Sequence, residues 1–176
     1  MKQSILISLL VILLAPPMVV KAQENIKEEK VVKAQIDAFF TSWNKHDFSD
    51  MKNYVADTSD FVNIVGMHWK GREDIQYAHQ IFHQQHFKDR PLRELSAKIR
   101  FLTNDVAIAH VLMHLDGFYI APDGSKKGDM DGLATFVFIK KDGTWLVTAV
   151  ENVVVDQVAK PFDPVTMRNN QRNEMK

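Results

Sequence analysis

The chain has 176 residues, in which 22 Lys and Arg balance 22 Asp and Glu; 45% are hydrophobic, 10% are aromatic and none is Cys. That length suits one domain with a real core, at about 100–200 residues per domain. Zero formal charge argues against the basic face of a nucleic-acid binder, the composition argues against disorder, and the missing Cys excludes a disulfide framework, a thiolate metal site and a cysteine nucleophile.

At the N-terminus Lys2 supplies a positive start, and Ile5 to Ala15 is an apolar run interrupted only by Ser8. Pro16 and Pro17 break it, and Val20-Lys21-Ala22 has the small-x-small character that signal peptidase reads. Residues 1–22 are therefore expected to be a secretory signal peptide cleaved after Ala22, giving a periplasmic or secreted protein with no membrane attachment afterwards. The apolar run is about half of the roughly 20 residues that span a bilayer.

The mature domain is expected over 23–155. Val32, Ile36, Phe39, Phe40 and Trp43 form a single stripe at helical spacing and predict a helix over 25–45. Asp47 looks like the cap of a short second helix that turns Phe48, Met51 and Val55 inward. From Asp60 to Trp69 the pattern alternates, with Phe61, Asn63, Val65, Met67 and Trp69 on one parity and a bend expected at Gly66. Helical spacing returns over 73–87, where Ile75, His79, Phe82, His83 and His86 share a face.

Strands and turns follow. Leu95, Ala97, Ile99 and Phe101 alternate with polar residues, and a long strand is predicted from Val106 to Tyr119. One parity of that strand carries His110, His114 and Asp116; the other is wholly apolar, and the pattern leaves open which one faces inward. Asp142-Gly143 joins two further strands in the strongest hairpin cue of the chain. A two-residue turn there pairs Val147 with Phe138, Ala149 with Phe136 and Glu151 with Ala134, which sets Glu151 in an inward, apolar row. Residues 156–176 are polar and predict a loose tail. Helices early and strands late give an α+β fold, with a curved antiparallel sheet wrapped around N-terminal helices.

This order resembles the nuclear-transport-factor-2-like, cystatin-like cone of ketosteroid isomerases and SnoaL-like polyketide cyclases. The segments Asp60-Phe61-Val62-Asn63, Gly66-Met67-His68-Trp69-Lys70-Gly71-Arg72-Glu73 and Asp142-Gly143 with Trp145 resemble, more narrowly, the SgcJ/EcaC family. The resemblance covers about residues 27–153. It implies that the sheet and helices form a cone with an interior pocket, and that Asn63 and Trp69 lie near the cavity mouth. The chain departs from the family at Val150-Glu151-Asn152, where Ala-His-Asn is common, and it lacks the Tyr and Asp pattern of ketosteroid isomerase.

The candidate pocket residues are Asn63, Trp69, His79, His83, His110 and Glu151. Each polar member interrupts an apolar row, and a desolvated Glu151 beside a neutral His79 would suit acid/base work. His79 and His83 are spaced to hold a metal between them, but the pattern supplies no third ligand and Gln80 replaces the Glu of a metalloprotease helix, so no metal is expected. No nucleotide-binding glycine fingerprint is present, so no cofactor is implied. Three functions stay open: a module binding a small apolar molecule, a cofactor-independent isomerase- or cyclase-like enzyme using His79 and Glu151, and an assembly domain. Both faces of the last hairpin are apolar, with Phe136, Phe138 and Val147 on one side and Val137, Ile139, Leu146 and Val150 on the other, so a C2 homodimer through the outer sheet face is expected. Mass measurements on protein from its native host test both expectations. A chain beginning at Gln23 and a dimer mass by light scattering are the predicted results; a full-length species in the membrane fraction or a monomer mass would contradict them.

Overall fold

The computed structural model describes residues 17–121 and 123–174, with backbone alone for 17–24 and Tyr119. Residues 1–16 of the expected signal peptide, with Lys2, the apolar run from Ile5 to Ala15 and Pro16, lie outside the described residues.

Helix α1 spans Pro17–Lys45, beginning earlier than the apolar stripe requires. Val32, Ile36, Phe39, Phe40 and Trp43 are all buried, as their spacing demands. Phe48, Met51 and Val55 also point inward, but the predicted second helix is a single 3-10 turn, Met51–Asn53. Asp47 does not cap it; its carboxylate accepts the Ser49 N–H at 2.9 Å, a local turn that competes with a helix start.

The Asp60 to Trp69 region divides into β1 (Val55–Val62) and β2 (His68–Lys70), with Gly66 in the turn at φ 81°. Helix α2 runs Arg72–Gln85. Then come β3 (Leu92–Phe101), β4 (Val106–Leu115), a small hairpin of β5 (Tyr119–Ile120) and β6 (Lys126–Lys127), β7 (Met130–Lys141) and β8 (Thr144–Val154). The long strand predicted to Tyr119 stops at Leu115. There the Asp116 N–H donates to Pro91 O at 3.0 Å and the buried Arg90 Nε donates to Asp116 O at 3.1 Å, drawing the chain off the sheet.

The six main strands lie in the order β2-β1-β8-β7-β4-β3, antiparallel except that β1 runs parallel to β8. The sheet curves without closing, and α1 and α2 pack on its concave face. This is the α+β fold expected from the order of elements and the cone that the resemblance implies. The inner row of β4 is its apolar parity, Ala107, Ala109, Val111, Met113 and Leu115; the His110 and His114 parity faces out. Phe138, Trp145 and Val147 of the sheet join Val32 and Ile36 of α1 in the buried core, where each aliphatic or phenyl side chain contributes roughly 1.5–3 kcal/mol. Glu28 ties α1 to the sheet, accepting from Lys140 Nζ at 2.7 Å and Trp145 Nε1 at 2.5 Å.

Two irregularities correct the expected parities. In β3 a register shift between Glu94 and Ser96 leaves Leu95 exposed on the outer side. In β8, Phe138 pairs with Val147 as predicted, but Val137 then pairs with Ala149, so Thr148 opposes no residue of β7. Beyond this bulge Val150 and Asn152 turn inward and Glu151 turns out. The tail is also more ordered than its polarity suggests. It forms α3 (Pro164–Glu174), started by Asp163, whose carboxylate accepts the Val165 and Thr166 N–H groups at 3.1 Å each, with Pro164 as first helical residue.

Candidate functional site

Between α1, α2 and the wide end of the sheet lies an open cavity of about 280 Å³. From α1 it receives Phe39 and Trp43, from α2 His79 and Phe82, and from the residue that caps α2, His86. The sheet contributes Phe61, Trp69, Leu92, Phe136 and Val150, together with the thioethers of Met113 and Met130. Gly132 and Ala134 lie on the same wall; a Cβ at Gly132 would stand 3.0 Å from the Met113 side chain, so the glycine makes room for that thioether, and Ala134 leaves space opposite the helices' rings. Backbone-directed bonds hold the walls. Trp43 Nε1 donates to Arg90 O at 2.9 Å, and Asn44 exchanges two 2.9 Å bonds with the backbone of Leu92, fixing the end of α1 to the start of β3. Gln80 Nε2 donates to His46 O at 3.0 Å and seats α2 against α1.

His79 is buried within a collar of rings: Phe61 at 4.8 Å, Phe48 at 5.1 Å, Trp69 at 5.2 Å and Phe39 at 5.6 Å between centroids. Its Nδ1 lies 2.7 Å from Ile75 O. A carbonyl only accepts, so Nδ1 carries the proton and Nε2 of the neutral ring is a lone-pair acceptor. Burial pushes the His79 pKa down to about 4, only partly opposed by the carbonyl bond. No carboxylate pairs with the ring among the described residues, so it is a neutral acceptor and a weak base.

Of the six expected pocket residues, the structure brings Asn63, Trp69 and His79 to one cavity. Asn63 Oδ1 accepts the N–H groups of Val65 at 3.1 Å and Met67 at 2.9 Å, folding the β1–β2 loop into the cavity rim. The other three residues lie elsewhere. His83, one turn beyond His79, is buried behind Trp43 at 4.4 Å, with its Nδ1 2.8 Å from His46 Nδ1. Burial, and then the neighbouring His79 and His46, push its pKa down to about 3. His110 is exposed on the outer face, paired across the sheet with Thr135. Glu151 is exposed on the same face, also opposite Thr135, because the Thr148 bulge reverses the parity on which its inward placement rested. The acid/base pair of His79 and Glu151 on facing walls is therefore not formed.

In place of Glu151 the bulge delivers Asn152, which lines the cavity and whose side-chain oxygen is buried without a hydrogen-bond partner. Sequence reasoning missed it because it lies one residue out of the assumed register. The signal available was the Asn of the Ala-His-Asn pattern at this position. The spacing marks His86 only as part of the helix face over 73–87 and does not single out Phe87 or Met130; all three line the cavity.

The low value of His79 has a measurable consequence. Its ordinary pKa is 6.5 and its folded value about 4, so between these limits the unfolded chain binds more protons than the folded one. Stability present above pH 6.5 is thus lost as pH falls toward 4, on the order of 2–3 kcal/mol from this group. Urea denaturation at pH 7 and pH 4.5 should show that loss in the native protein and a smaller one in His79→Leu. Equal losses in the two would contradict it, as would a changed His79 titration in Glu151→Gln.

Comparison with known proteins bears on this geometry. No curated protein matches the chain. Among solved structures, an uncharacterized protein with a cystatin-like fold from Caulobacter vibrioides is 29% identical, with a TM-score of 0.75 over 79% of this chain and 97% of that one. A nuclear-transport-factor-2-like superfamily protein from Salmonella enterica is 18% identical, with a TM-score of 0.62 over 77% and 94%. A hexachlorocyclohexane dehydrochlorinase, LinA type 2, is 10% identical, with a TM-score of 0.67 over 77% and 90%. The family model of the SnoaL-like domain matches residues 32–149. By that match, and with the cone that these structures share, the chain belongs to the SnoaL-like domain family.

Proposed function

We propose that this is an exported binding protein for a small apolar molecule held inside the cone. The observation that carries the reading is the chemistry of the cavity wall. Its polar side chains are Asn63, His79, His86 and Asn152; the rest is aromatic, aliphatic or thioether, and no carboxylate, ammonium or guanidinium lines it among the described residues. A cavity of about 280 Å³ is close to the lower end of the roughly 300–1,000 Å³ typical of ligand pockets, which suits a molecule of two or three rings. The finer affiliation with SgcJ/EcaC proteins is also a proposal, supported by the segments around Asp60 and Trp69.

An acid/base enzyme is the second reading, and the dehydrochlorinase of like fold is what recommends it. In this chain the expected His79 and Glu151 pair is not available to it, since Glu151 lies outside. A histidine held near pKa 4 with no carboxylate behind it is poorly matched to taking a proton at neutral pH. Binding without a defined reaction is the better-supported function.

The test is titration with N-phenyl-1-naphthylamine, a neutral dye that brightens in apolar surroundings. Saturable one-to-one binding is expected. Ala134→Phe, which fills the cavity from the sheet wall, should weaken binding at least about tenfold while leaving the melting temperature unchanged or higher. Undiminished binding in a folded Ala134→Phe would place the dye elsewhere and contradict the reading.

A further inference from the structure

Two polar atoms on the cavity wall lack a donor. The side-chain oxygen of Asn152 is buried with no hydrogen-bond partner, and Nε2 of His79 is left as an acceptor because Nδ1–H is spent on Ile75 O. The third candidate, Asn63 Oδ1, is already occupied by two loop N–H groups. A pure hydrocarbon in this cavity would leave both acceptors unmet in apolar surroundings, where an unpaired polar group is most unfavourable. An anionic ligand would set its charge against two acceptor atoms with no lysine or arginine on the wall, among the described residues, to offset it. A cationic one would find aromatic faces, but no carboxylate to balance the loss of its hydration.

We propose that the ligand is a neutral, largely apolar ring compound carrying a hydroxyl or N–H donor, and that Asn152, with His79 Nε2 as second acceptor, reads that donor. The inference rests on the pocket reading above and adds the chemical class of its ligand. It makes Asn152 a specificity-determining residue. An amide also suits a hydroxyl better than a carboxylate would, because it can accept from the hydroxyl hydrogen and donate to the hydroxyl oxygen without bringing a charge into the cavity.

Displacement of the dye by 4-phenylphenol, biphenyl and 4-phenylbenzoate tests it. The decisive quantity is the ratio of the phenol and biphenyl affinities, which cancels the difference in their transfer from water when compared between proteins. Asn152→Leu, close in size to the native side chain, should shift that ratio about fivefold against the phenol, the equivalent of one hydrogen bond. His79→Leu is the second variant and should shift it in the same direction; circular dichroism establishes that each is folded. The benzoate should displace poorly. An unchanged ratio in both variants, failure of both neutral probes to displace the bound dye, or tightest binding by the benzoate would overturn the proposal while the pocket reading stands. Loss of dye binding in the native protein would overturn both.

Discussion

One unpaired residue decides which side chains the cavity has to work with. Thr148 is the extra residue of β8 at the point where Phe138 pairs with Val147 and Val137 with Ala149. A strand alternates faces with a period of two, so one inserted residue sends everything after it to the opposite face. The bulge is supported from the other side of β8, where β1 also loses register between Val55 and Asp60. There the buried Ser59 hydroxyl lies 2.8 Å from Val147 O and 2.7 Å from Ala56 O, giving its single proton to one of them at a time. Asn152 faces the cavity and Glu151 faces out because of this local arrangement.

The consequence is a site with little charge and little basicity. Had Glu151 pointed inward, a carboxylate would have shared the cavity with a neutral imidazole, and burial would have raised the acid while an ion pair raised the base. With Asn152 there instead, His79 answers only to burial, which keeps the ring neutral, and to the Ile75 carbonyl, which opposes burial weakly but fixes which nitrogen carries the proton. The large rings of α1 and α2 stand opposite Ala134, so the wall is shaped by aromatic faces on one side and by missing side-chain volume on the other. Such a space rewards shape and a single well-placed donor more than it rewards charge.

Much of this was legible in the sequence. The α1 stripe, the His79 face of α2, the Asp142-Gly143 hairpin and the placement of Asn63 and Trp69 all follow from periodicity, turn chemistry or the family resemblance, and the α+β order of elements follows from their succession. What was not legible depends on contacts distant in sequence. The inner face of β4 could not be chosen from its alternation, because both parities hold apolar residues; it is settled by packing beneath α1. His83 shares a helix face with His79, but the cavity ends at Trp43, which helix spacing does not encode. The stop at Leu115 depends on Arg90 and Pro91, some 25 residues earlier in the chain. The Thr148 bulge has no Gly or Pro to announce it, so Glu151 was assigned the face that belongs to its neighbour.

The absence of Cys from the chain allows that central assignment to be measured directly. Glu151→Cys and Asn152→Cys, each carrying a single thiol, can be labelled with 5,5′-dithiobis(2-nitrobenzoate) in the folded state and again in denaturant. The account predicts that the thiol at position 151 reacts at nearly its denatured rate, and that the thiol at 152 is slowed by about tenfold and slowed further by saturating N-phenyl-1-naphthylamine. Fast reaction at 152 with protection at 151 would contradict the account and restore Glu151 to the cavity.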